Sequence, residues 1–252
     1  MKKILLVFIL AAGSMSAGDF QHFALDVESG TIFISYSDIQ IPKSTGTLIS
    51  FADELETDPA FFIRGRFTYY FNRGNMISVL FAPLTLNATG SVDHDVVFEG
   101  VTFAANTVLN TVYKFNSYRL TYEHFWFVGE RWCLGLGVTA KIRDAKISIA
   151  KDLELSVDTA RISEKTDLGF VPLIKLSVVW QFIPRFALVL DGDALAAPQG
   201  RAEDVSLAIQ GDIGQNLSLK LGYRVLEGGS DVEEVYSFTW INYLFAGATV
   251  SF

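Results

Sequence analysis

The sequence predicts an all-β fold, a closed antiparallel up-and-down transmembrane β-barrel of about ten strands, with eight to twelve strands consistent with the pattern. Three observations predict it. Apolar and polar residues alternate with period two from residue 23 onward, as in strands with one apolar and one polar face. Short turns alternate with longer loops, and aromatic residues gather beside the short turns. A barrel of 252 residues commonly forms a single domain.

Residues 1–17 are predicted to be a secretory signal peptide, which leaves 18–252 as the barrel domain. Lys2 and Lys3 supply the positive start, 4–12 the short apolar core, and 14–18 the small residues of a cleavage zone. The apolar core is too short for a membrane helix, which needs about 20 residues. We place the cleavage bond after Ala17, with Ser16 and Gly18 as the alternative positions.

The short turns divide the alternating pattern into strands. Four of them are evident: "NRGN" (72–75), "VGER" (128–131), "IPR" (183–185) and "GQN" (214–216). The strands predicted around them are, in order, 23–40, 60–71, 75–90, 108–127, 132–150, 166–182, 185–197, 202–213, 216–227 and 236–252. The stretch "LSLKLGYRV" (217–225) shows the alternation most clearly. Pro83 interrupts the third strand, and 115–118 is predicted to shift the parity of the fourth, because bulges are common in barrels.

The remaining connections are predicted to be longer, apart from a short one near 198–201. These loops are 41–59, 91–107, 151–165 and 228–235. Short turns at one end and longer loops at the other are typical of outer-membrane barrels, whose short turns are periplasmic. Both chain ends are therefore predicted to lie on the short-turn side.

Aromatic residues distinguish a membrane barrel from a soluble one. Those beside the short turns are Phe67, Tyr69, Tyr70, Phe71, Phe125, Trp126, Phe127, Trp132, Trp180, Phe182 and Phe186, and a second group near the last long loop is Tyr236, Phe238 and Trp240. Two such groups predict the interfacial girdles that flank a band of lipid. The alternative is a soluble lipocalin-like ligand-binding barrel, which is apolar inside and polar outside.

The polar face of the predicted strands carries charge along its middle. A lysine or arginine facing lipid at the membrane midplane costs about 2–4 kcal/mol, so these residues are predicted to line the lumen. The predicted set is Arg64, Arg66, Lys114, Arg119, Glu123, Lys141, Arg143, Lys175, Asp191, Asp193, Asp204, Asp212, Lys220 and Arg224. It contains nine basic and five acidic residues. About ten strands leave a narrow path at most, which these charges either plug by pairing or make selective for anions.

The chain ends in "LFAGATVSF", with apolar residues at alternating positions before a terminal aromatic. Leu244, Ala246, Ala248, Val250 and Phe252 occupy these positions. This ending resembles the C-terminal assembly signal of bacterial outer-membrane β-barrel proteins. The resemblance implies a bacterial outer membrane location with periplasmic termini. It also implies outer-membrane lipid, lipopolysaccharide and the outer-membrane assembly machinery as partners.

Catalytic chemistry has little support in the sequence. We find no glycine-rich phosphate loop, zinc-ligand spacing or serine elbow, and predict no catalytic residue, cofactor or metal. His94 lies between Asp93 and Asp95 in a predicted external loop, and "LDGDA" superficially resembles the paired aspartates of omptin-type proteases. A hydrolase at the external rim is therefore kept as an alternative, although fold analogy alone supports it weakly.

The functional prediction is a non-enzymatic outer-membrane protein with a structural or surface role, or a narrow pore that prefers anions. The formal net charge of −8 argues against a nucleic-acid partner. Cys133 is the only cysteine, which excludes an intramolecular disulfide, and it is predicted to be buried. The sequence does not fix the oligomeric state.

Overall fold

The computed structural model describes residues 20–151 and 162–252, so the predicted signal peptide lies outside the described residues. Within these ranges ten antiparallel strands form a barrel. They are β1 (Phe23–Gln40), β2 (Ala60–Asn72), β3 (Asn75–Ala82 and Thr85–Gly90), β4 (Leu109–Val128), β5 (Trp132–Lys151), β6 (Ile162–Ile183), β7 (Phe186–Ala197), β8 (Gly200–Asp212), β9 (Leu217–Val232) and β10 (Val235–Ser251). Each strand pairs with the next, and β10 pairs with β1 to close the barrel. The predicted fold class and strand number are confirmed.

The apolar C-terminus is held by the first strand. The Phe252 N–H donates to the Phe23 carbonyl oxygen at 2.8 Å, and the Phe23 N–H donates to the Phe252 carbonyl oxygen at 2.9 Å. Their rings also stack, with centroids 5.8 Å apart. Closure leaves neither strand with a free edge at this seam.

The strand pattern departs from the prediction in three places. β6 begins at Ile162, inside the predicted loop 151–165, of which residues 152–161 lie outside the described residues. Pro83 divides β3 as expected, but β4 and β5 pair residue by residue from Val128↔Trp132 to Leu109↔Lys151, so the predicted parity shift at 115–118 is wrong. The predicted long loop at 228–235 is also wrong, because β9 and β10 continue to a turn of two residues. Gly229 permits this continuation, since a Cβ there would lie 2.1 Å from the Ser237 carbonyl oxygen.

The exterior of the barrel is apolar. Along β5, Leu134, Leu136 and Val138 are exposed, whereas Cys133 and Thr139 on the opposite face are buried. The same alternation around the barrel produces a continuous exposed apolar band, which we call the apolar belt. Aromatic side chains border it at the short-turn end, where the Trp132 and Trp180 rings stack with centroids 5.4 Å apart. This arrangement suits lipid outside the barrel and is the reverse of the soluble alternative.

The two long connections fold over the opposite end of the barrel. Segment 41–59 contributes Ile49 and Phe51, and segment 91–108 contributes Phe98, to an apolar cluster. The cluster packs against inward-facing wall residues such as Tyr113 and Ile149. The long-loop end is therefore partly filled by the protein's own loops. The described residues contain no helix able to cross a membrane.

Candidate functional site

Asp204 on β8 is the centre of the barrel interior. Its carboxylate accepts hydrogen bonds from Arg64 Nη2 at 3.0 Å, Arg119 Nη2 at 2.5 Å and Arg224 Nη1 at 2.7 Å. All four side chains are buried. The arginines come from β2, β4 and β9, so the contacts cross the lumen rather than follow one wall.

Two acids on β1 extend this cluster, and the sequence analysis missed both. Glu28 accepts from Arg224 Nη2 at 2.7 Å and from Lys220 Nζ at 2.6 Å. Asp26 accepts from Lys220 Nζ at 2.9 Å and from Thr249 Oγ1 at 2.6 Å. Their even-numbered positions in an alternating strand were the signal that could have placed them inside.

Two aspartates on β7 complete the cluster. Asp193 accepts from Arg119 Nη1 at 2.8 Å and from Thr139 Oγ1 at 2.6 Å. Asp191 accepts from both terminal nitrogens of Arg66, at 3.2 and 3.3 Å, and from Lys175. Each inward acid of β7 therefore binds a base from another strand, which satisfies the charge that burial would otherwise penalise.

We call this cluster the ion-pair belt. Its members are Asp26, Glu28, Arg64, Arg66, Arg119, Glu123, Lys175, Asp191, Asp193, Asp204, Lys220 and Arg224. Glu123 belongs to it through a hydrogen bond from Ser177. The belt has six acids and six bases, so its formal charge balances, in contrast to the basic excess predicted from the sequence.

Four residues that were predicted to line the lumen lie outside the ion-pair belt. Lys114 pairs with Asp144 at 2.8 Å on the outer face of β4. Because β4 has no parity shift, Lys114 lies on the same face as the exposed Leu120. Its prediction as a lumen residue is therefore corrected. Arg143 pairs with Asp167 near the long loops, and Asp212 accepts from Ser218 at the short-turn end. Lys141 lies opposite Arg119 where β5 pairs with β4, but it has no ion pair with an acid of the ion-pair belt among the described residues.

The ion-pair belt separates two cavities. One of about 110 Å³ lies toward the short turns, where Phe125 of β4 and Gln210 of β8 contribute to its lining. The other, of about 390 Å³, lies toward the long loops and is lined by Tyr113 of β4 and Ala202 of β8. Arg119 and Asp204 fall between these positions on the same two strands and line neither cavity.

The residues considered for catalysis do not assemble into one site. His94 Nδ1 lies 3.2 Å from the exposed Asp93 carboxylate, in a loop segment, while Asp191 and Asp193 are ion-paired deep in the barrel. His124 contacts Asn75 at the short-turn end. Across residues 20–151 and 162–252, no group of three or more histidine, cysteine, aspartate or glutamate side chains could hold a metal ion.

Solved bacterial outer-membrane barrels have similar folds. The outer membrane protease OmpT from Escherichia coli aligns with a TM-score of 0.52 and 11% identity, over 94% of this chain and 100% of that one. An outer membrane channel from Pseudomonas putida gives 0.44 and 9%, over 95% and 100%. Ail, the attachment invasion locus protein of Yersinia pestis, gives 0.34 and 13%, over 92% and 99%. No protein family and no curated protein sequence matches this chain. The likeness concerns the fold, which is that of bacterial outer-membrane β-barrel proteins.

Proposed function

We propose that this protein is a non-enzymatic barrel of the bacterial outer membrane with a closed lumen and a structural or surface role. The observation that carries the proposal is the bonding of three arginines from three strands to the single carboxylate of Asp204. Breaking a buried ion pair is costly, because removing one of the two partners leaves an uncompensated buried charge on the other. Eight strands enclose an interior that side chains just fill, and ten strands enclose one that is only somewhat wider.

The proposed orientation has the short turns in the periplasm and the long loops outside the cell. Phe23 and Phe252 meet at the short-turn end, which agrees with periplasmic termini. The proposed partners are outer-membrane lipid and lipopolysaccharide around the apolar belt, and the assembly machinery at the C-terminal strand. Leu244, Val250 and Phe252 of the proposed assembly signal are exposed on the outer surface, where a partner could reach them.

Single-channel recording tests the closed lumen. We expect the refolded wild-type protein to give no conductance steps in a planar bilayer, because the ion-pair belt crosses the lumen. The double variant Asp204→Ala, Arg224→Ala removes one acid and one base from the belt and is expected to give measurable steps. Lys114→Ala, Asp144→Ala removes a matched pair from the outer face and should stay silent.

Stable steps from the wild-type protein would contradict the closed lumen. If their anion preference also fell in Arg64→Ala or Lys141→Ala, the narrow anion-preferring pore would replace the structural role. Heat-dependent gel migration would verify that every recorded protein is a folded barrel.

A further inference from the structure

The barrel wall is incomplete beside β6. β6 pairs with β5 from Ile162 to Trp180, but it pairs with β7 only from Ile174 to Ile183. β7 ends at Ala197, and the chain turns directly into β8. The segment 162–173 consequently has one strand edge without a partner among the described residues. We call the space between this edge and the β7–β8 hairpin the lateral gap.

The lateral gap extends from the long-loop end into the apolar belt. Leu168 and Phe170 lie on the unpaired segment and are 74% and 64% exposed, so this part of β6 still presents apolar side chains outward. Backbone N–H and C=O groups cannot face lipid without hydrogen-bond partners. Pro172, which has no N–H to satisfy, is suited to such an edge. A polar occupant or water behind the edge is therefore required.

The cavity of about 390 Å³ lies behind the lateral gap. Its lining includes Arg143 of β5 and Val171 of β6 on one side, and Ala202 of β8 and Gly228 of β9 on the other. None of the described residues that line the cavity belongs to β7, because β7 ends on the short-turn side of the cavity. Its volume is within the range typical of small-molecule sites.

Two basic groups in this cavity have unused donors. Lys141 is only 3% exposed, and among the described residues it has neither an ion pair nor a hydrogen bond to its ammonium group. Its Nζ lies 4.9 Å from the centroid of the Phe115 ring. Arg143 is two residues further along the same face of β5, and its Nε is buried without a hydrogen-bond partner.

One base in the cavity lining has no acidic partner. The charged lining residues are Lys141, Arg143, Lys146, Lys165, Arg201, Asp167, Glu227 and Glu234. Arg143 pairs with Asp167 and Arg201 pairs with Glu227, while Lys146 and Lys165 pair with acids outside the lining. Lys141 is therefore the lining base that lacks a carboxylate partner among the described residues. A buried charge without a partner is costly and favours binding of its counter-ion.

We propose that this cavity binds the anionic head group of a single-chain amphiphile whose alkyl chain leaves through the lateral gap. A carboxylate or phosphate would accept a hydrogen bond from Lys141 Nζ beside the Arg143 guanidinium, and the chain would pass Phe170 into the surrounding lipid. The inference goes beyond the proposed structural role. It requires the lateral gap and the cavity but does not depend on whether the ion-pair belt conducts ions.

Binding of decanoate to the refolded full-length chain in a nonionic detergent tests the proposal. We expect saturable binding of decanoate by titration calorimetry, with acetate and decanol binding at least about tenfold more weakly, because each lacks one half of the amphiphile. Decyl phosphate forms the second arm. Preference for decanoate indicates a free fatty acid, and preference for decyl phosphate indicates a phosphate-bearing lipid.

Variants locate the site. Lys141→Met is expected to weaken decanoate binding about tenfold or more, and Lys141→Arg to retain it. Val171→Trp should reduce binding by filling the cavity while leaving every charge in place. Lys114→Met removes a lysine from the outer face and should bind as the wild type does. Equal binding by wild type, Lys141→Met and Val171→Trp, or no saturable binding by folded wild type, would overturn the proposal.

Discussion

Replacing Asp204 with alanine is expected to lower the free energy of unfolding of the barrel by about 3–5 kcal/mol, which is a large part of the stability of a typical domain. The substitution leaves Arg64, Arg119 and Arg224 without the carboxylate they share. Arg119 would keep its contact with Asp193, and Arg64 and Arg224 would keep Glu28 at 3.6 and 2.7 Å, but neither acid replaces the carboxylate at the centre. The free energy of unfolding is measured by urea titration in lipid vesicles.

Asp212→Ala is the matched control for this experiment. Asp212 lies on the same strand and the same face, but it is at the short-turn end and accepts from Ser218 rather than from an arginine. We expect its substitution to change the free energy of unfolding by about 1 kcal/mol. Equal effects of the two substitutions would mean that the ion-pair belt does not hold the barrel together.

The second large effect is expected on the outer face. Leu221 of β9 is 63% exposed within the apolar belt, and Leu221→Arg would place a charge against the lipid chains. A loss of about 2–4 kcal/mol in unfolding free energy is expected in vesicles. Ile213 is similarly exposed, at 59%, but lies in a short turn at the edge of the belt.

Ile213→Arg should therefore cost about 0–1 kcal/mol, because a charge near the interface remains hydrated. Both free energies come from the same urea titrations in vesicles. If Leu221→Arg were as stable as Ile213→Arg, the outward face of β9 would not contact lipid.

Period-two patterning made most of the fold predictable. The first strand was predicted with its observed bounds, 23–40, and Pro83 interrupts β3 as expected. The pattern failed where polar residues occur on both faces. The parity shift predicted at 115–118 does not occur in β4, and this error placed Lys114 in the lumen.

Side-chain contacts between distant strands could not be predicted from the alternation of apolar and polar residues. Alternation indicates that Asp204 faces inward, but it cannot show that three arginines converge on it. The bounds of β7 were predicted almost correctly, yet the lateral gap depends on the register between β6 and β7, which no single strand reveals. The packing of the long connections into the long-loop end also depends on tertiary contacts, so the sequence pattern does not predict it.

The most direct test of the membrane arrangement is quenching of a fluorescent label by brominated lipids along β8. Single cysteines, introduced into a Cys133→Ala background, would carry the label at positions 205–210. We predict strong quenching at Val205, Leu207 and Ile209, which are exposed, and weak quenching at Ser206, Ala208 and Gln210, which are buried. Uniform quenching, or stronger quenching at the even positions, would contradict a barrel with lipid outside and charge inside.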